Sequence, residues 1–219
     1  MNFNIIDLDD WDRKPYFEYY LTTLKCTYSI TCNIDITGLL TKIKKKNIKF
    51  YPTFIYVITK AVNSNKEFRM NFDDKDNLGY WDEMNPCYTV FHDDDKTFSN
   101  IWSNYSKDFN VFYNYVLKDM DEYKDVKGLS VKEPFPKNIF PISCTPWVSF
   151  TGFNFNVYND GKYLLPVITL GKYFNEDGKI LLPLALQIHH AVADGYHSAK
   201  FINEIQDLVS NYDGWLNIE

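Results

Sequence analysis

Three of the four histidines in this 219-residue chain fall in one run, Gln187-Ile188-His189-His190-Ala191-Val192-Ala193-Asp194-Gly195-Tyr196-His197. Imidazole has the unperturbed side-chain pKa nearest neutral pH, which suits it to carry a proton during a reaction. The apolar segment Ile180–Ile188 reads as a buried strand leading to the pair, and Ser198–Tyr212 as a helix leaving it. A histidine at the end of a core strand, followed by an Asp-Gly turn, has a rigid mount for proton transfer. Side chains alternate along a strand, so His189 and His190 are expected on opposite faces of the sheet. One can be structural, bonded to backbone carbonyls, while the other faces a cleft. The same alternation argues against a metal: zinc needs three or four convergent ligands, and only Asp194 and His197 stand nearby in sequence. Asp194 can pair with an arginine or cap the following helix. Gly195 suits a turn where φ is positive or another backbone comes close.

The elements that must hold these residues follow from period and punctuation. Asp9 or Asp10 is placed to cap a first helix through Pro15 to about Leu24. Cys26–Ile36 alternates strictly between Cys, Tyr and Ile on one side and Thr, Ser, Asn and Asp on the other. It reads as a strand with one buried and one polar face. Thr37 and Gly38 open a short helix to about Lys46, and Pro52 begins another. Short strands are expected near Phe68–Phe72, Leu78–Trp81 and Cys87–His92, with a solvated turn at Asp93–Asp95. An amphipathic helix then runs from Lys107 to Glu122. Gly128, Pro134, Pro136 and Pro141 mark 127–141 as a loop. Strands at Ser149–Tyr158, Tyr163–Leu170 and Ile180–His190 and the last helix complete the set. No repeat or linker divides the chain, so residues 1–219 form a single domain of the α/β class (α+β two-layer sandwich), a mixed sheet covered by helices on one side.

Composition narrows the function further. Net charge is −6, and no basic run suits a nucleic-acid groove; Lys42 with Lys44 to Lys46 reads as the solvated end of a helix. Aromatic residues make up 18% of the chain, enough for both a ring-rich core and a ring-lined ligand pocket. No signal peptide or membrane span is visible, which points to the cytoplasm. Cys26, Cys32, Cys87 and Cys144 lack CxxC spacing and are expected as reduced, buried thiols. None sits in a turn or helix start that would activate it.

The run Gln187 to His197 resembles, complete, the active-site signature of the chloramphenicol acetyltransferases. Its shorter core, His-His-x-x-x-Asp-Gly, is similar to that of 2-oxoacid dehydrogenase acyltransferase cores and peptide-synthetase condensation domains. The likeness continues through Trp11-Asp12-Arg13-Lys14, Phe17-Glu18-Tyr19-Tyr20, Lys49-Phe50-Tyr51-Pro52, Thr89-Val90-Phe91-His92, Ile142-Ser143, Pro146-Trp147-Val148 and Leu170-Gly171-Lys172-Tyr173, essentially the whole chain. The resemblance implies the CoA-dependent acyltransferase fold and acetyl transfer from acetyl-CoA to the 3-hydroxyl of chloramphenicol, which inactivates the antibiotic. It implies His190 as general base, Ser143 as oxyanion donor, Thr169 as holder of a water, and an Asp194–Arg13 pair supporting the base. Tyr20, Leu24, Phe98 and Phe155 would line the drug pocket. Trp147 and Tyr173 would lie along the pantetheine arm of CoA, with Lys49 and Lys172 near its phosphates. Acetyl-CoA enters as co-substrate, with no tightly bound cofactor. A homotrimer with active sites between subunits is also implied, His190 facing the neighbour's Ser143.

Taken without the resemblance, Ser143 beside Cys144 and Thr145 reads as turn chemistry, the pocket residues as core and the lysines as surface charge. Asn100, Ser130 and Phe155 depart from the family pattern, standing where a small apolar residue, an aromatic wall and a leucine are usual. Two other readings keep the fold. A dihydrolipoyl acyltransferase core normally carries lipoyl and subunit-binding domains on Ala/Pro-rich linkers, absent from these 219 residues. A non-catalytic binding module would be free to lose Ser143 or Arg13, and both are present.

Overall fold

The computed structural model describes residues 1–157 and 161–217. Ten strands and five α-helices alternate along the described chain: β1 Phe3–Ile5, α1 Lys14–Glu18, β2 Thr27–Asp35, α2 Thr37–Lys45, α3 Phe50–Ser64, β3 Met70–Phe72, β4 Leu78–Trp81, β5 Asn85–His92, β6 Thr97–Trp102, α4 Phe109–Tyr123, β7 Ile139–Thr145, β8 Val167–Gly171, β9 Phe174–Glu176, β10 Lys179–His189 and α5 Gly195–Ser210. The main sheet has the order β2-β10-β8-β7-β5-β6, with β9 paired to β10. It is mixed: β5–β7 and β7–β8 run parallel, the other pairs antiparallel. A small antiparallel sheet, β1-β4-β3, stands apart. The mixed α/β sheet expected from the pattern is therefore present.

Alternation across β10 explains why one face is covered. Leu182, Leu184, Leu186 and Ile188 are buried together with Ile34, Ile142, Ile168 and Leu170 on neighbouring strands. α3 lies within this layer, buried from Pro52 to Thr59, so its apolar residues run round the helix rather than along one stripe. α5 packs the stripe Phe201, Ile205 and Val209 into the same core. The opposite face carries a row of polar side chains interrupted by one alanine. Thr31, Ala185, Thr169, Ser143, Thr89 and Asn100 stand in register across six strands.

Several boundaries differ from those expected. α1 begins after Arg13 with no side-chain cap, because Asp9 is engaged by Lys14 at 2.5 Å; a π-turn at Tyr19–Thr23 continues it. β2 does not divide into a buried and a polar face: Cys26 to Cys32 are half-buried throughout, and only Ile34 and Ile36 are fully buried. β7 begins at Ile139, inside the expected loop. Pro141 is tolerated there because β8 joins only from Ile142, leaving one neighbour strand beside it. β8 starts at Val167, after Pro166, which cannot donate to a ladder. Residues 149–157 form no strand, since no strand among the described residues runs beside them; Tyr158 lies outside the described residues. The alternation missed β1, β6 and β9. Leu129 to Val131 add a further bridge outside β6, where Asn100 N–H donates to Leu129 O at 2.8 Å and Lys132 Nζ to Trp102 O at 2.8 Å.

Candidate active site

His189 and His190 face opposite sides, as strand alternation requires. His189 ends β10 level with Thr27 and is buried; its Nδ1 accepts from Ala191 N–H at 3.1 Å. Burial lowers its pKa below the ordinary histidine value, which keeps the ring neutral. His190 turns towards the first helical segment. Its backbone N–H donates to Cys26 O at 3.0 Å, which pins the turn. The ring lies flat on Tyr20, centroids 3.7 Å apart and planes 6° apart, with Tyr28 tilted against it at 5.0 Å. His190 Nδ1 is buried with no hydrogen-bond partner among the described residues, so the stack on Tyr20 and the contact with Tyr28 are what fix the ring plane.

The turn after the pair is built around one carboxylate. Asp194 Oδ1 accepts from the backbone N–H of Tyr196 and His197, starting α5; Asp194 N–H donates to His197 Nδ1 at 3.3 Å, closing a capping box, and that ring nitrogen stands 2.8 Å from Oδ1. Oδ2 accepts from Arg13 Nη1 at 2.8 Å. Burial opposes the charge, but the hydrogen bonds from Arg13 and His197 outweigh it and hold Asp194 at about 2. Both roles offered by sequence, cap and arginine partner, are filled by the same side chain. The pair ties the start of α1 to the start of α5, four residues after His190.

Ser143 belongs to a different part of the molecule. It stands on β7 level with Thr169, and hence with Ala185 of β10. His190 lies five residues beyond Ala185 along the chain, one past the end of β10. At about 3.4 Å per residue and about 4.8 Å between strands, the two side chains are roughly 20 Å apart within one chain. Ser143 lines a cavity of about 590 Å³ with Phe98, Asn100, Phe155 and Leu129. The pocket residues expected together are thus divided: Phe98 and Phe155 stand with Ser143, while Tyr20 and Leu24 stand with His190. Leu24, Phe98 and Phe155 are each about half exposed, at 53%, 48% and 53%. Both halves therefore present apolar surface to solvent. Thr169 is buried beside Ser143 and does not reach the cavity wall.

A second cavity of about 490 Å³ adjoins the first, with Thr89, Phe91, Cys144 and Trp147 in the walls of both. Tyr173 and Lys172 line it; Lys49 lies just outside, at the N-cap of α3, beside the lining residue Phe50. Gly171 is required here, because a Cβ would meet the Phe150 ring at 2.8 Å and Pro183 at 3.1 Å. Burial pushes the thiols of Cys87 and Cys144, both in these walls, up to about 11, so neither is a nucleophile near neutral pH. All four cysteines are free and half-buried rather than fully buried. Among the described residues, no group of three His, Cys, Asp or Glu stands close enough to hold a metal ion. Nor does any described helix have the length and apolarity to cross a membrane.

Sequence reasoning missed Tyr28 against His190 and Leu129, Tyr163 and Val167 in the cavity wall. Leu129, 66% exposed, lines the cavity, whereas its neighbour Ser130, the position expected in the wall, does not. Register between strands assembles these residues, and no local pattern records it.

Relatives place this arrangement. A protein of Clostridium perfringens named chloramphenicol acetyltransferase is 58% identical over 216 residues, covering 99% of either chain. Among solved structures, one named chloramphenicol acetyltransferase superposes with a TM-score of 0.84 over 95% of this chain and 100% of its own, at 22% identity. A dihydrolipoamide acetyltransferase of Azotobacter vinelandii shares the fold more distantly, with a TM-score of 0.66 at 16% identity over 87% of this chain and 84% of its own. The family profile described as chloramphenicol acetyltransferase matches residues 1–206. With a relative this similar over its whole length and a profile spanning nearly all of the sequence, the chain belongs to the chloramphenicol acetyltransferase family.

Proposed function

We propose that this enzyme transfers the acetyl group of acetyl-CoA to the 3-hydroxyl of chloramphenicol, and so inactivates the antibiotic. The observation that carries the reading is a pair of adjacent cavities with Thr89, Phe91, Cys144 and Trp147 in the walls of both. One is ring-lined and holds Ser143; the other carries Trp147, Tyr173 and Lys172 and opens beside Lys49. Two substrates entering from opposite ends would meet at Ser143, the alignment a direct transfer needs.

A complete site needs a second copy. Ser143 and His190 are too far apart to act on one carbonyl within a chain, and each carries part of the drug pocket. In a homotrimer, His190 with Tyr20 and Leu24 of one copy would close over Ser143, Phe98 and Phe155 of the next. The imidazole of His190 takes the hydroxyl proton as the oxygen attacks the thioester carbonyl. The Ser143 hydroxyl donates to the developing oxyanion. Thr169, level with Ser143, helps to hold a water there. The tetrahedral intermediate collapses with loss of the CoA thiolate, which takes the proton back from His190. Asp194 and Arg13 keep the turn in place and do not relay charge. Tyr20 fixes the ring plane, which sets the direction of proton transfer.

Likeness to the dihydrolipoamide acetyltransferase is one of fold alone, and no residue of the site favours that acceptor. The deciding experiment is spectrophotometric release of free thiol with acetyl-CoA, with and without chloramphenicol. Release should depend on the drug and fall about 10²–10⁴-fold in His190→Ala. Drug-independent release, or full activity in that variant, would overturn the reading.

A further inference from the structure

Four residues, Lys46 to Lys49, join α2 to α3. Three of their N–H groups bond back into α2: Lys46 to Lys42 O at 3.2 Å, Asn47 to Lys44 O at 3.3 Å and Ile48 to Ile43 O at 2.9 Å. Asn47 has a positive φ of 55° and Ile48 is buried, which makes this the Schellman closure of a helix. The fourth N–H, that of Lys49, leaves this local set and donates to the hydroxyl of Tyr113 on α4 at 2.8 Å. Lys49 is the N-cap of α3, and its side chain makes no cap hydrogen bond. Its carbonyl accepts from Thr53 Oγ1 at 2.8 Å, so its backbone is held on both sides while the side chain stays exposed. Tyr113 is buried against Phe109, ring centroids 5.5 Å apart, and Phe109 packs in turn on Tyr56 and Trp215. Packed rings on this side keep the hydroxyl in place.

We infer that Tyr113 is a positioning residue for the donor: its hydroxyl holds the Lys49 backbone where the ammonium meets the phosphates of CoA. This rests on the function proposed above, in which acetyl-CoA enters through the second cavity, beside Lys49. Phe50 and Tyr51, the next two residues, line that cavity, and Phe50 meets the lining residue Tyr173 at 5.5 Å between centroids. A lysine carries its charge on a flexible four-carbon stem, so the place where the stem is rooted decides where the charge dwells. Tyr113 itself lines neither cavity. Its influence on CoA therefore runs through the link, and it has no contact with the acceptor half of the site.

The test is Tyr113→Phe, which removes one oxygen from a buried ring. KM for acetyl-CoA should rise about three- to tenfold, the effect of one lost hydrogen bond. Both kcat and KM for chloramphenicol should stay within about twofold of the parent, because only donor binding is weakened. With acetylpantetheine, a donor that carries no phosphate, the variant should match the parent. Lys49→Ala should also raise KM for acetyl-CoA, and adding Tyr113→Phe to it should raise KM no further, since the two act as one unit. Thermal melts check that each variant is folded. An unchanged KM for acetyl-CoA in folded Tyr113→Phe, an equal rise with acetylpantetheine, or additive losses in the double variant would overturn the inference. If the parent enzyme transfers no acetyl group to chloramphenicol, the proposed function itself fails, a result distinct from all three.

Discussion

Ser143 stands level with Ala185 across the sheet, five positions short of His190 and roughly 20 Å from it in the same chain. No side-chain rotation closes such a gap. If the two act on one substrate, they belong to different copies. That can be tested without a structure of the assembly. His190→Ala and Ser143→Ala chains, each inactive alone, should regain activity when unfolded together and refolded as mixed oligomers. In a random trimer about a quarter of the sites would unite an intact His190 with an intact Ser143 from a neighbour. Mixtures no more active than either parent would exclude sites shared between copies.

Ser143 is placed to act on charge that exists only during the reaction. Replacing it with alanine should lower kcat by about 10²–10³ and leave KM for both substrates close to the parent values. Steady-state kinetics at neutral pH check this. A loss confined to KM would make Ser143 a ground-state contact instead.

Asp194 gives the fold an acid limb. Its carboxyl is held at about 2 in the folded chain, against an ordinary 3.8. A depressed value stabilises the fold above the ordinary pKa, and that contribution disappears as pH falls through the folded value. The stability difference between the parent and Asp194→Asn should therefore be constant above about pH 5 and shrink steadily between about pH 4 and pH 2. Denaturant melts across that range read it directly. Arg13→Gln should weaken the same limb, because it removes one of the two hydrogen bonds that keep the carboxylate charged.

The thiols should be slow. Cys32, Cys87 and Cys144 are pushed from 9.0 to about 11 by burial. At pH 8 their thiolate fraction is about a hundredfold smaller than that of an unburied thiol with the ordinary value. An aromatic disulfide reagent should label these three far more slowly in the native protein than after unfolding. Rapid native labelling of Cys144 would contradict the burial described for the cavity wall.

What could be read in advance follows the range of the physics involved. β10, the Asp194 cap and α5 were legible because strand alternation, a capping carboxylate and a helical stripe are local. β6 was missed although Phe98 and Asn100 lie on it, since six residues after an acidic turn carry too little pattern. Pro141 reads as a loop residue until the neighbouring strand is known to join only afterwards. The expected strand at 149–158 alternates well enough, but a strand exists only with a partner, and the described residues supply none for 149–157. Ser143 and Thr169 were named through the resemblance alone. Their shared row with Thr89 and Asn100 is a matter of register, which no short stretch encodes. The division of the pocket between Tyr20 and Phe98 is likewise a three-dimensional fact.

The segment from Leu129 to Lys132 does more than wall a cavity. Lying along β6, it covers the polar groups that a terminal strand would otherwise offer to a stranger. β2, at the far end of the order, has no strand along its outer margin among the described residues, and only its last residue, Asp35, is bonded there by the Gln206 amide. A sheet sealed on one margin can be extended from the other only, so stacking of sheet on sheet into an open-ended fibre is blocked at the first addition.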